Sequence, residues 1–285
     1  MNDFSGHTII ITGAASGIGR ATALEVARRG ATVVAVDRAD SVDQLIDEIT
    51  AAGGVGEAIH GDLTDRGIVR AAVERAIDLG GQLGPVNNAG VMDGFEGAAD
   101  VSDEIVERSF GINLYAPLNM VREVLPHMVQ AKTGAIVNVG AEASFRGGAS
   151  GVADTMAKHA LVGLTRNTAY TYAKRGIRAN LIGPGSVETN LASGFNVADL
   201  NPEHGMDAIA PVHQAAIRTA KPEELARVIA FLLSDHASYV NGAVIPIDGG
   251  WMAGWGSVLG NAYSVEVLPF WGVSRRERRH VVQPL

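Results

Sequence analysis

Cysteine is absent from all 285 residues, which excludes disulfides and thiolate metal sites. Long apolar runs are missing too, and no stretch approaches the length needed to cross a bilayer. The opening segment MNDFSGHTIIITG has neither the basic flank nor the apolar stretch of a secretory signal, so a cytoplasmic location is expected. Nor is there an excess of positive charge. With 23 basic and 31 acidic residues the formal charge is −8, which disfavours nucleic acid or an anionic membrane as the main partner. His204 and His213 have no neighbours at metal-ligand spacing, and no metal is expected.

What is present can bury a substantial core. Hydrophobic residues make up 47%, and the length suits one large α/β domain better than two small ones. Short runs of Val, Ile and Ala bounded by Gly, Asn and Asp alternate with longer stretches of helical period. Strands are expected at 7–13, 31–37, 55–63, 86–90 (its end), 134–140, 177–183 and 242–248. Helices are expected at 19–30, 40–54, 66–80, 102–131, 152–175 and 222–234. Seven strands with interposed helices predict a single-domain Rossmann-type α/β fold, a doubly wound seven-stranded parallel sheet with helices on both faces. The domain is expected to span 1–255. It includes a segment at 190–218 placed where substrate lids occur in open sheets, and a C-terminal extension follows at 256–285.

TGAASGIG (12–19) falls between the first strand and the first helix. Gly13 permits a tight turn, Gly17 lets backbone N–H groups approach a pyrophosphate, and Gly19 allows the helix to pack closely with its positive end toward the anion. Asp37 closes the second strand. Its carboxylate can bond a ribose diol and would repel a 2′-phosphate, so NAD is expected over NADP, with Arg38 beside it weakening the preference slightly.

With these motifs in order, the chain over about residues 5–255 resembles the short-chain dehydrogenase/reductase family. TGAASGIG resembles its glycine-rich turn, GDLTD (61–65) the segment that meets adenine, NNAG (87–90) its fourth-strand motif, and IGPGSVET (182–189) its nicotinamide loop. INLYAPLNMVREVLPHM (112–128) resembles the helix carrying the family's active-site asparagine, which falls on Asn113. The resemblance implies cofactor contacts from Gly13, Ser16, Gly17, Ile18, Gly19, Asp37, Asp62, Leu63, Asn88, Ala89, Gly90, Lys158, Pro184, Gly185, Val187 and Thr189. It also implies a homotetramer or homodimer built on the helices at 102–131 and 152–175. Two departures lie in QLGPVNNAG, where Gly84 and Pro85 replace apolar strand residues. Proline removes a ladder donor, so this strand is expected to start late.

The larger departure is chemical. In the family a serine, a tyrosine and a lysine act with the asparagine, the tyrosine and lysine four apart. Here GVADTMAK places Lys158 on the lysine and Asp154 on the tyrosine, and NVGAEAS places Ala141 on the serine. An exposed aspartate is ionised at pH 7 and has no proton to give a forming alkoxide. It is also shorter by roughly 4 Å of reach. Loss of a general acid costs about 10²–10⁴ in rate and loss of an oxyanion donor about 10²–10³, so ordinary ketone reduction is expected to be nearly absent.

Asp154 and Lys158, one helical turn apart, can form an ion pair, which would lower the aspartate pKa, whereas burial would raise it. Ser144 and Tyr115 are candidate substitute hydroxyls. Glu142 reads as a solvent-facing loop charge, and His159 as a surface or packing residue. Three readings stay open. One is a divergent NAD-binding enzyme using Asp154 as a general base on an apolar or polycyclic small molecule, for redox chemistry or for dehydration, isomerisation or hydrolysis; the lid residues Phe195, Met206, Ile209 and Val212 suggest that substrate class. Another is a catalytically silent NAD-binding partner subunit or sensor. The last is residual alcohol oxidation through Ser144 or Tyr115. The apolar stretch at 261–273 is expected to cover a neighbouring copy's site.

Overall fold

The computed structural model describes residues 3–189 and 216–253. Most of the expected lid, and the whole extension at 256–285, lie outside the described residues, as do His204, His213 and the four apolar lid residues.

Seven parallel strands form one sheet. In chain order they are β1 (His7–Thr12), β2 (Thr32–Asp37), β3 (Val55–His60), β4 (Gln82–Asn87), β5 (Gly134–Val139), β6 (Ile177–Pro184) and β7 (Val244–Ile247). Their spatial order is β3-β2-β1-β4-β5-β6-β7. The winding reverses between β1 and β4, and the crevice beyond the carboxyl ends of these strands is where open α/β sheets bind ligands. Helices α1 (Gly17–Arg28), α2 (Ser41–Ala51), α3 (Arg66–Leu79), α4 (Asp103–Phe110), α5 (Ala116–Ala131), α6 (Val152–Tyr172) and α7 (Pro222–Leu233) cover both faces. Among the described residues no helix is long and apolar enough to cross a membrane.

Strand periodicity builds two cores. Ile9, Ile11, Val33 and Ala35 face one side with Leu45 and Ile49 of α2 and Leu225 and Ile229 of α7. Ile10, Val34 and Val36 face the other with Val69 and Val73 of α3 and Met120 and Val124 of α5. Successive strand residues point to opposite faces, so a near-continuous apolar strand can serve a helical layer on each side.

Three expectations are corrected. First, β4 does not start late along β1, which it pairs from Gln82 to Val86. Its partnership with β5 is confined to Val86 and Asn87, immediately after Pro85, whose missing N–H deprives that side of a donor. Gly84 has a packing reason: a Cβ there would lie 2.6 Å from Ile9 Cδ1. Second, the helix expected at 102–131 is interrupted by a π-turn at Gly111–Tyr115 between α4 and α5. The wider i→i+5 turn rotates Asn113 into the interior while Tyr115 stays 53% exposed. Third, α6 ends at Tyr172. A 3₁₀ turn at Ala173–Arg175 follows, and the chain then leaves through Gly176 at φ 79°.

A buried chain of amides and hydroxyls fixes α6 on the sheet. Asn87 Nδ2 donates to Asn138 Oδ1 at 2.8 Å, and Asn138 Nδ2 donates to Thr165 Oγ1 at 2.8 Å. Every buried polar group in that chain is satisfied, so the helix register relative to β4 and β5 is specified. That register places Asp154 and Lys158.

Candidate active site

The first half of the site is the glycine turn after β1. A Cβ on Gly19 would lie 2.1 Å from Gly13 O, and one on Gly13 would lie 2.8 Å from Ala89 Cα. Gly17 adopts φ 54°, and a Cβ there would be 3.0 Å from Thr189 Cγ2, so the loop after β6 closes over the turn. Asn88 Nδ2 donates to Thr12 O at 2.9 Å and Gly13 O at 3.1 Å, while Thr12 Oγ1 accepts from the N–H groups of Asn88 and Ala89. The fourth-strand motif thus holds the turn's shape. Ser16 makes no side-chain capping bond, and the first turn of α1 carries no acid, so the helix's positive end faces the crevice without a protein anion. This is a cradle that fits a dinucleotide pyrophosphate.

Asp37 sits at the crevice mouth. Its Oδ2 accepts the Ala15 N–H at 2.9 Å and its Oδ1 the Ala39 N–H at 3.0 Å, which joins the glycine turn to the end of β2. Each carboxylate oxygen retains a further lone pair for a ribose hydroxyl. Asp62 turns back on Thr64, accepting its backbone N–H and its hydroxyl at 2.8 Å each. These bonds hold its carboxyl below the usual range, with Arg38's charge assisting. Leu63 belongs to the α3/α5 core. Pro184 ends β6, Gly185 N donates to Ile247 O at 2.9 Å, and Val187 bridges in parallel to Ala220.

The second half is built on the π-turn and the start of α6. Asn113 Nδ2 donates to Val91 O at 2.8 Å and to Asp154 Oδ1 at 2.8 Å, while its Oδ1 accepts the Val91 N–H at 2.9 Å. Lys158 Nζ donates to Val139 O at 3.3 Å and lies 3.6 Å from where a Gly90 Cβ would be. The structure thus brings Asn113, Asp154, Lys158 and Gly90 together.

The ion pair that the spacing of Asp154 and Lys158 allows does not close to within 4.0 Å. The carboxyl is turned to Asn113, and the ammonium to Val139 O. Of the two opposed effects that the sequence left open for Asp154, burial is the larger: the residue is only 5% exposed. Burial raises its pKa against the opposing effect of the Lys158 charge. The Asp93 carboxylate pushes the same way as burial, while hydrogen bonds from Ser150 and Asn113 resist. Lys158 is shifted down by burial, with Asp154 opposing. The two groups move toward each other in proton affinity, which suits a pair that exchanges protons with a ligand.

Asp93 was invisible as a site residue in the sequence, and VMDGF offers no signal beyond a lone acid before glycine. Completely buried, it caps α6 from outside that helix. Its Oδ1 accepts from Gly151 N at 2.9 Å, Ser150 Oγ at 3.1 Å and Phe95 N at 3.3 Å, and its Oδ2 accepts from Asp154 N at 2.9 Å. Gly151, at the N-cap position, has no side chain to do this, and a Cβ there would sit 2.5 Å from Asp93 Oδ2.

The two candidate hydroxyls differ in placement. Ser144 Oγ accepts the Ala141 N–H at 3.2 Å and closes the Glu142–Ser144 turn on itself. Tyr115 stands on the outer side of the π-turn, its ring tilted against Phe110 at 6.1 Å. His159 is at the surface, its Nδ1 2.9 Å from Thr155 O. Glu142 contradicts its reading as a solvent-facing charge: it is 7% exposed, and burial, seconded by Asp248, raises its pKa to about 8. It packs inward because the turn after β5 tucks beneath the ends of β6 and β7.

Comparison with known proteins follows the same outline. The family described as enoyl-(acyl carrier protein) reductase matches residues 13–252. A short-chain dehydrogenase/reductase of Talaromyces verruculosus is 38% identical over 251 residues, covering 86% of this chain and 96% of the relative. The 3β-hydroxysteroid dehydrogenase 2 of Eggerthella lenta is 35% identical over 252 residues, covering 87% and 96%. Among solved structures, an NAD(P)-dependent gluconate 5-dehydrogenase candidate from Beutenbergia cavernae, with NADP bound at low occupancy, superimposes with a TM-score of 0.78. It is 36% identical, with coverage of 89% of this chain and 100% of that one.

Proposed function

This chain belongs to the short-chain dehydrogenase/reductase family, and from that premise we propose that it is an NAD-dependent oxidoreductase of an apolar, polycyclic secondary alcohol or ketone in which Asp154 moves the proton. The observation that carries the reading is the burial of Asp154 at the first turn of α6, hydrogen-bonded to Asn113 and one turn from Lys158.

The glycine turn, Asp37, Asp62 and the 184–189 loop would hold the dinucleotide, whose chemistry is hydride exchange with the substrate carbon. The chain's own part is the proton. Protonated, Asp154 donates to the oxygen of a carbonyl being reduced. Ionised, it accepts the hydroxyl proton of an alcohol being oxidised. A carboxyl whose proton affinity burial has raised holds a proton more readily than an ordinary aspartate, and so serves donation as well as acceptance. Asn113 holds Oδ1 and so fixes the orientation of the carboxyl. Lys158, through its charge, biases the carboxyl toward the ionised form whenever a proton has been handed over. The shorter side chain requires the substrate oxygen to sit deeper than a tyrosine would, and Ala141 supplies no oxyanion donor. Turnover is therefore slow by about 10²–10³ relative to a site with that donor.

NAD is favoured by the Asp37 carboxylate at the crevice mouth, which would repel a 2′-phosphate. The polycyclic class is supported by the hydroxysteroid dehydrogenase relative. Tyr115 at the end of the π-turn and Met156 on α6, both exposed, suit assembly as a homodimer or homotetramer.

The test is NADH formation from NAD and a panel of steroid and other fused-ring secondary alcohols. Asp154→Asn should lower the rate at least 10²-fold with cofactor affinity unchanged. Cofactor binding without turnover of any alcohol or ketone would instead identify a silent NAD-binding protein.

A further inference from the structure

Beside the vacant serine position lies a second buried acid that the proton transfer above does not use. Glu142 follows the end of β5, more than nine-tenths buried, and its Oε1 has no hydrogen-bond partner. That oxygen points at the nicotinamide loop: a Cβ on Gly185 would be 2.8 Å from it and 2.7 Å from Asp248 Cα. Glycine at 185 thus lets the loop backbone lie against the carboxyl oxygen with no side chain between them. The opposite wall is closed, because the Asp248 carboxylate is committed to the N–H groups of Gly250 at 2.9 Å and Met252 at 2.7 Å.

We propose that Glu142 discriminates between the two redox states of the cofactor, its carboxylate stabilising the positively charged ring of NAD⁺ at the Gly185 loop and its neutral form suiting NADH. A buried polar oxygen without a partner is costly, and a ligand that supplies the missing partner recovers that cost. For this oxygen the complementary ligand is cationic, since the Asp248 charge nearby already acts on Glu142. The titratable groups on the elements packed against the turn are Asp154, Lys158, His159, Arg166, Tyr170 and Tyr172 on α6 and Arg178 on β6, with Arg146 just beyond the turn and Asp248 beyond β7. Of these, Asp248 is the charge that acts on Glu142, and it disfavours ionisation. Until a cation arrives Glu142 keeps its proton to about pH 8. Binding of NAD⁺ then releases that proton, whereas NADH, with an uncharged ring, leaves it in place. By linkage, alkaline pH strengthens NAD⁺ relative to NADH and turns the enzyme toward alcohol oxidation.

The inference rests on the proposed function for the position of the cofactor, and the experiment separates the two. NAD⁺ and NADH are titrated calorimetrically into the full chain near pH 8, in two buffers of different ionisation enthalpy, which counts protons without any turnover. Affinities are also compared at about pH 6 and about pH 9. For the unsubstituted protein, NAD⁺ should release a fraction of a proton that NADH does not, and the NAD⁺ to NADH affinity ratio should rise roughly tenfold between the two pH values, as for a one-unit pKa change. In Glu142→Gln both effects should vanish, while in Asp154→Asn the proton release should remain. Equal proton counts for the two cofactors in the unsubstituted chain overturn the inference even if Glu142→Gln does not fold. Proton release that survives in Glu142→Gln but disappears in Asp154→Asn assigns it to the wrong acid and overturns it too. Failure of both cofactors to bind overturns the proposed function, and this inference with it.

Discussion

Asp93 Oδ2 accepts the backbone N–H of Asp154 at 2.9 Å, so one buried aspartate anchors the main chain of another. The same carboxylate raises the proton affinity of the Asp154 side chain by like-charge repulsion. Positioning and tuning therefore come from one residue. Replacing Asp93 by Ala strands the N–H groups of Gly151 and Asp154 in the interior and removes a cap at a helix start. The expected loss is roughly 2–5 kcal/mol of stability, measured by urea denaturation. Asp93→Asn keeps the volume and removes the charge, and it should move the Asp154 titration to lower pH. An unchanged pH profile in Asp93→Asn would show that burial alone sets the Asp154 proton affinity.

Alcohol oxidation needs Asp154 ionised. Its folded pKa lies above the ordinary carboxylate value, so the rate should rise with pH through a limb displaced above that value, and ketone reduction should fall across the same limb. A pH profile of kcat in both directions checks the sign. A limb at the ordinary aspartate position would mean that the Lys158 charge outweighs burial once substrate is bound.

Stability should depend on Glu142 with the opposite sense from a salt-bridged carboxylate. Its folded pKa is raised from 4.5 to about 8, so the folded chain keeps a proton that the unfolded chain gives up between those values. The stability present below that window is lost as pH rises through it, by up to about 1.4 kcal/mol per pH unit for this single proton. Asp154, also raised, contributes in the same direction from its lower starting point. Glu142→Gln preserves the shape and cannot titrate. Its denaturation midpoint should vary less with pH, and it should be the more stable variant above about pH 8. Parallel curves for the two proteins would contradict the burial of an uncompensated acid.

The strands and the glycine turn were legible because each rests on local rules: a two-residue alternation places Ile9 and Ile11 opposite Ile10, and Gly19 is demanded by a backbone contact only six residues away. The acid–base half was legible only in outline. The spacing of Asp154 and Lys158 is local, but the burial that decides their protonation comes from Asn113 and Asp93, 41 and 61 residues distant. The π-turn that swings Asn113 inward leaves no periodic trace, since its residues look as helical as their neighbours. Glu142 looked like a loop charge because the elements that bury it, at Gly185 and Asp248, lie far along the chain.

The cradle makes a sterically unambiguous prediction. In Gly19→Ala the new methyl would fall 2.1 Å from Gly13 O, a contact between main chain and Cβ that no rotamer change relieves. Either the turn opens or α1 backs away from the sheet, and both draw its N–H groups off the pyrophosphate. NADH affinity, read from ligand fluorescence, should fall more than tenfold. Asp37→Ser, which leaves the turn's shape but removes the charge, should instead lose selectivity: NADP affinity rises while NAD affinity falls modestly.

Restoring the lost hydroxyls tests the scaffold as a whole. Asn113 and Lys158 occupy the positions a tyrosine at 154 would need, and in Asp154→Tyr the amide of Asn113, now bound to the carboxyl, would be freed. Ala141 follows the end of β5 and is only half-buried. In the double variant Asp154→Tyr, Ala141→Ser, reduction of a fused-ring ketone with NADH should rise by about 10²-fold or more, since both an acid and an oxyanion donor are returned. The pH dependence should change with it, because a phenol replaces a carboxyl as the titrating group. If the double variant binds NADH as the parent does but gains no rate, the substrate cleft itself has diverged from carbonyl reduction. The deep, short acid at 154 would then belong to a reaction other than hydride transfer.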